Sequence, residues 1–266
     1  MNLLRTVAVT LSILVSPMTF ADFNWDNALT GDHRGEGNAD RNEARHPRET
    51  LEFFGIEPGM TVMEVSPGGG WYTEVLAPLM KDNGTLIAAH YSPNGGGYSR
   101  RSLGGFLTKL GENDIYNQVV VGYLQPPMAM APAEPNSVDL ALAFRNVHSW
   151  MRMNQVEMFF AAVYDSLKPG GVFGIVQHRG APGTDVETMK KTAYVTEEQV
   201  IEFAELAGFE LDARSEINAN ARDTKDYPGG VWTLPPVLRE GEKDRAKYVA
   251  IGESDRMTLR FRKATE

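Results

Sequence analysis

The stretch Thr61-Val62-Met63-Glu64-Val65-Ser66-Pro67-Gly68-Gly69-Gly70-Trp71-Tyr72 runs from an apolar, β-branched segment through three consecutive glycines into an apolar helical pattern ending near Met80. Strand, glycine turn and helix in that order form the first half of a βαβ unit. Glycine between strand and helix lets a ligand approach the backbone and leaves helix N–H groups facing it, although a tight structural connection uses the same residues.

Working outward, strand and helix keep alternating. Strands are predicted at residues 61–65, 86–89, 119–121, 138–143, 172–177, 209–217 and 257–262, with helices at 72–80, near 103–110, from Asn154 to Leu167 and from Thr196 to Ala207. Asn154 with Glu157, and Thr196 with Gln199, have capping-box spacing, and Lys168-Pro169-Gly170-Gly171 stops the third of these helices. In the last strand Met257, Leu259 and Phe261 alternate with Thr258, Arg260 and Arg262, the pattern of a half-exposed edge strand. The sum is an α/β chain with a doubly wound, mostly parallel seven-stranded sheet and an antiparallel edge strand. Residues 1–21 form one segment, 22–45 an irregular polar arm, and 46–266 the domain, with a Pro- and Trp-bearing insertion at about 219–254 that reads as a lid or a brace.

The spacing Glu64-x-Ser66-x-Gly68-x-Gly70 resembles the acid-x-Gly-x-Gly-x-Gly signature of class I S-adenosylmethionine-dependent methyltransferases, with Ser66 in place of the first glycine. It does not fit the dinucleotide fingerprint in frame. Ser137-Val138-Asp139-Leu140-Ala141-Leu142 resembles that family's fourth strand, and Leu167-Lys168-Pro169-Gly170-Gly171 its entry to the fifth. Arg45-His46-Pro47, Phe144-Arg145-Asn146-Val147-His148, Glu216-Ile217-Asn218-Ala219-Asn220, Gly230-Val231-Trp232-Thr233 and Gly252-Glu253-Ser254-Asp255-Arg256 resemble a bacterial group of exported methyltransferases. The resemblance implies S-adenosylmethionine as cofactor and methyl transfer to an unidentified small molecule. A ligand-binding module of the same fold without catalysis is the alternative.

The resemblance also implies a cofactor site at Glu64, Ser66, Pro67, Gly68, Gly69, Gly70, Trp71, His90, Tyr123 and Phe144. At the end of the second strand, where an acid commonly holds the ribose, this chain has His90, which offers at most one acceptor when neutral. His90, His148 and His178 follow strands two, four and five and are expected on one rim. Three readings are open for them: hydrogen-bonded rim residues, a general base, or a metal site. His148, with His178 as second candidate, is the expected base, and Arg145 and Asn146 would orient the acceptor; Arg179 could clamp an anion or form a structural ion pair.

Asn2 to Arg5, the apolar run Val7 to Val15 and Thr19-Phe20-Ala21 have the order of an export signal cut after Ala21, which implies a periplasmic protein with no stable membrane insertion once the signal is removed. Net charge is −9, and −10 without residues 1–21, so nucleic acid is not an expected partner. The absence of cysteine excludes disulfides, thiol nucleophiles and thiolate-bound zinc. The sequence leaves the oligomeric state open.

Overall fold

The computed structural model describes residues 22–265, so the expected export signal lies outside the described residues. Strands β1 (Thr61–Val65), β2 (Thr85–His90), β3 (Val120–Tyr123), β4 (Val138–Phe144), β5 (Leu167–His178), β6 (Phe209–Ser215) and β7 (Arg256–Lys263) form one sheet in the order β3-β2-β1-β4-β5-β7-β6. Strands β1 to β5 pair in parallel, and β7 runs antiparallel to both neighbours. The helices are α1 (Trp25–Thr30), α2 (Asn42–Arg45), α3 (Pro47–Phe54), α4 (Thr73–Met80), α5 (Gly97–Gly111), α6 (Val147–Arg152), α7 (Val156–Ser166), α8 (Val186–Thr192), α9 (Glu197–Leu206) and α10 (Arg245–Ile251).

Strand alternation sorts the core into two layers. Met63, Val65, Ala141 and Ala143 meet Trp150, Phe159, Phe160 and Val200 from α6, α7 and α9 on one face. Val62, Leu140 and Leu142 meet Leu51 and Phe54 of α3 and Val75, Leu76 and Leu79 of α4 on the other. Central β4 is covered on both sides, which is why its sequence is almost continuously apolar.

Three details differ from expectation. The antiparallel strand β7 lies one position in from the edge, and β6 is the outer strand. Two of the three polar positions of β7 are covered rather than wet: Thr258 is fully buried and Arg260 pairs with Asp212 at 2.6 Å and donates to the Phe53 carbonyl, whereas Arg262 is exposed. Asn154 does not cap α7; it occupies a left-handed turn (φ 53°), and Gln155 is the cap residue without a side-chain bond. Thr196 does cap α9, accepting from the Gln199 N–H at 3.2 Å.

The arm at 22–45 is not irregular. It carries α1, a 3-10 turn (Ala39–Arg41) and α2, each too short to show a 3.6-residue period. Buried Glu74 of α4 holds it: Glu74 accepts from the Gly35 N–H and Asn38 Nδ2, and pairs with Arg34 and Lys109. The arm is thereby drawn across the glycine turn.

Candidate active site

Strand order reverses between β1 and β4, and in a doubly wound sheet the crevice at that reversal, at the carboxyl ends, is where ligands sit. Both strands end there in a strained residue. Ser66 (φ 53°) and Arg145 (φ 63°) are non-glycines in the left-handed region, a conformation costing about 1–3 kcal/mol each. Asn146 ties the two ends together, its Nδ2 donating to the carbonyls of Val65 (2.9 Å) and Ser66 (3.3 Å). That bond makes Asn146 a strut between strands.

A cavity of about 420 Å³ opens at this point. It is lined by ten of the residues expected from the sequence, Ser66, Pro67, Gly68, Gly69, Trp71, Phe144, Arg145, Asn146, His148 and His178, and by four that were not, Asn38, Arg41, Arg45 and Trp232. The first three of these come from the arm. Trp232 comes from the 219–254 insertion, where the guanidinium carbons of Arg152 and Arg239 lie 4.9 and 4.6 Å from its ring centroid. The rest of that insertion is braced: Asn220 donates to the carbonyls of Ile251 and Glu253, and Asp223 accepts from the Tyr194 hydroxyl and the Asp255 N–H.

At the turn, a Cβ added to Gly68 or Gly69 would meet no heavy atom within 4 Å beyond its chain neighbours. The N–H groups of these two glycines have no acceptor among the described residues, and the Ser66 hydroxyl is buried without a partner. This is an open cradle of donors. Gly70 has a different duty: at φ 79° it faces away, and a Cβ there would press on Phe106 and Lys109 of α5 at 3.2 Å.

Four expected cofactor residues are not on the cavity: Gly70, Glu64, His90 and Tyr123. Glu64 is buried behind the turn, accepts from Thr73 Oγ1 at 2.5 Å, and has its carboxyl pushed up to about 8 by burial. His90 is sealed. Its Nδ1 accepts from the Tyr91 N–H at 2.7 Å, its Nε2 donates to the Gly68 carbonyl at 3.2 Å, and its ring stacks on Phe106. Both nitrogens are spent inside the protein, so His90 supports the turn and is not a free acceptor for a ribose. Tyr123 is exposed at the end of β3.

The three histidines therefore do not share one site. His148 and His178 stand together, ring centroids 5.6 Å apart, and among the described residues no group of three His, Asp or Glu side chains could hold a metal ion. Gln177 donates from Nε2 to the Ala193 carbonyl (3.0 Å) and to His148 Nδ1 (3.2 Å). With Nδ1 accepting, the single proton of a neutral His148 sits on Nε2. Burial, then Arg152, pushes His148 down to about 3; burial and then His148 itself hold His178 well below its ordinary value. A base that weak abstracts protons poorly at neutral pH, and the general-base expectation for either residue gives way to hydrogen bonding by neutral imidazoles.

This has a direct check. In NMR titrations the ring nitrogens of His148 and His178 should stay neutral from pH 8 down to about pH 5; a midpoint near the ordinary 6.5 in either ring would contradict the assignment. The unfolded chain binds these protons and the folded chain does not, so stability should fall as pH drops below about 6.5.

Arg179 is spent elsewhere, pairing with Asp255 (3.0 Å), Glu216 (2.6 Å) and Glu197 (3.2 Å), which makes it a structural ion pair. Trp71 is also committed to the arm. Its indole donates to the Asn38 carbonyl at 3.1 Å, and the Arg34 and Arg45 guanidinium carbons lie 4.7 and 4.3 Å from its ring centroid. Arg41, Arg45 and Arg256 converge on one carboxylate, Glu253, at 2.7, 3.4 and 3.3 Å, and these cations hold it down to about 2 against its burial.

A model of the methyltransferase domain matches residues 63–175, which span β1 to β5 and the turn. Residues 63–175 thus match a methyltransferase domain, and the sheet has the class I S-adenosylmethionine-dependent methyltransferase fold. The ubiquinone/menaquinone biosynthesis C-methyltransferase UbiE of Teredinibacter turnerae is 27% identical over 128 residues, 46% of this chain and 44% of that one, so the chain matches less than half the length of this curated relative. A methyltransferase structure from Aquifex aeolicus superposes with a TM-score of 0.55 at 17% identity, covering 86% of this chain and 94% of that one. A phosphoethanolamine N-methyltransferase of Haemonchus contortus, in complex with S-adenosyl-L-methionine, gives 0.53 at 16% identity over 92% of this chain and 60% of that one. Within the methyltransferase domain, the cradle of Ser66, Gly68 and Gly69 fits the cofactor. The end of β2 does not present the usual ribose partner.

Proposed function

We propose that this protein transfers the methyl group of S-adenosylmethionine to a small-molecule acceptor bound between the glycine turn and the His148–His178 pair. The observation that carries the reading is the open cradle at Gly68 and Gly69, facing a cavity at the strand-order reversal. Ser66, Gly68 and Gly69 would hold the donor. Bound there, it supplies an electrophilic sulfonium methyl: the acceptor lone pair bonds to the methyl carbon as the carbon–sulfur pair returns to sulfur. The protein's own contribution is positioning and exclusion of water, with Asn146 fixing the two strand ends and Trp232 beside His148 (ring centroids 6.0 Å) narrowing the opening.

The test is S-adenosylhomocysteine formation across a panel of small acceptors. Product above the uncatalysed background supports the reading; a chain that binds donor yet turns over no acceptor is the silent binding module. The order of residues 1–21 also supports an exported protein, and intact mass of the material recovered from the periplasm should begin at Asp22. A mass that includes Met1–Ala21 would contradict export with cleavage.

A further inference from the structure

The cavity lining holds three arginines, two neutral imidazoles and no carboxylate. Behind the lining, Arg256 joins Arg41 and Arg45 on Glu253, so four guanidiniums, with Arg145, face one acid. Asp255, the next carboxylate in the chain, pairs with Arg179 and Lys225. The Arg145 guanidinium has no ion-pair or hydrogen-bond partner among the described residues. Arg45 is 1% exposed, and its Nη1, like Nη2 of Arg41, is buried with no acceptor. Burial, together with neighbouring arginines, makes the charged forms of Arg45 and Arg145 harder to hold than usual, yet guanidinium stays protonated at neutral pH. Buried positive charge without a counterion is costly, and among the described residues no acid other than Glu253 pairs with Arg41, Arg45, Arg145 or Arg256.

The methyl donor as a whole does not offset that charge. S-adenosylmethionine carries a sulfonium and an ammonium against one carboxylate, a net positive ion. We infer that the acceptor is an oxyanion whose carboxylate or phosphate group is taken by Arg41, Arg45 and Arg145. Only the word acceptor rests on the methyl-transfer reading; the anion site stands on the arginines. Planar guanidinium forks match both oxyanions, giving short, charge-assisted and often bidentate bonds. A carboxylate or phosphate is already ionised at neutral pH, so the arginines take it without proton transfer to the two imidazoles beside them.

The experiment is calorimetric titration of the chain, without donor, with inorganic phosphate and separately with succinate. At least one should bind, more weakly as sodium chloride rises, and the tighter of the two identifies the oxyanion class. Arg145→Gln should weaken that binding roughly ten- to a hundredfold, while the unliganded protein melts no lower than the parent because like-charge repulsion is relieved. If Arg145→Gln does not fold, Arg41→Gln reads the same effect, since Glu253 keeps Arg45 and Arg256. S-adenosylhomocysteine should then bind to the anion-loaded protein. Three results overturn the assignment: no binding of either anion, equal affinity in the variant, or one-for-one competition between anion and S-adenosylhomocysteine, which would give the arginines to the donor's own carboxylate. Anion binding with no donor binding would instead remove the methyl-transfer reading and leave the anion site.

Discussion

Gly69→Val should remove binding of S-adenosylhomocysteine and leave the protein folded, with a melting temperature close to the parent's. Gly69 is not in the left-handed region, and a Cβ added there meets no heavy atom within 4 Å beyond its chain neighbours, so the backbone is not strained and the branch enters open space. Only the space reserved for ligand is taken. Overpacking costs about 1–3 kcal/mol where neighbours can shift, and a cradle pinned by Asn146 has little room to shift, so a loss of about a hundredfold or more is expected. Gly70→Val is the matched control. It forces a left-handed valine against Phe106 and Lys109 and should lower stability itself. Unchanged affinity in Gly69→Val, measured by calorimetry beside a thermal melt, would make the turn purely structural.

The largest effect on stability is expected at Glu74→Gln. This carboxylate is fully buried and serves Arg34 at 3.5 Å, Lys109, the Gly35 N–H at 3.2 Å and Asn38 Nδ2 at 2.9 Å. Neutralising it leaves the Arg34 side chain, 3% exposed, as a buried cation without its partner. Breaking a buried pair in this way costs about 3–5 kcal/mol, which for a domain of this size is a fall of roughly 10 °C in melting temperature. The arm that Glu74 holds also carries Arg41 and Arg45 into the cavity, so anion binding should weaken with the fold. A melting temperature within about 2 °C of the parent's would show that solvent or Asn38 replaces the lost charge.

Much of the architecture was legible because the parallel strands are short, apolar and separated by turn residues. Expected and observed limits agree at β1, and they differ by one or two residues at β2, β3 and β4. The placement of β7 was not legible: period-2 polarity marks a face that is polar, and cannot say whether water or Arg260's partners Asp212 and Phe53 cover it. The site was half legible. Ser66 to Gly69, Phe144 to Asn146, His148 and His178 lie at strand ends, where topology alone brings them together. His90 failed as a ribose partner for a local reason, the capture of both ring nitrogens by Gly68 and Tyr91, which spacing cannot show.

Arg41 and Arg45 escaped because the arm has no period. A signal was nonetheless present: Arg45-His46-Pro47 and Gly252-Glu253-Ser254-Asp255-Arg256 both resembled family segments, and in the fold Arg45, Glu253 and Arg256 meet. Two motifs far apart in sequence that share opposite charges are candidates for one cluster. Which charge is in excess depends on residues such as Arg145 that only the fold adds.

The most direct test of the account is calorimetric titration of the parent chain with S-adenosylhomocysteine, which lacks the sulfonium charge, in parallel with Gly69→Val. One binding site per chain in the parent, and none in the variant, is the predicted result. A folded parent that binds no S-adenosylhomocysteine, with or without phosphate present, would contradict the claim that the turn between β1 and α4 holds the methyl donor.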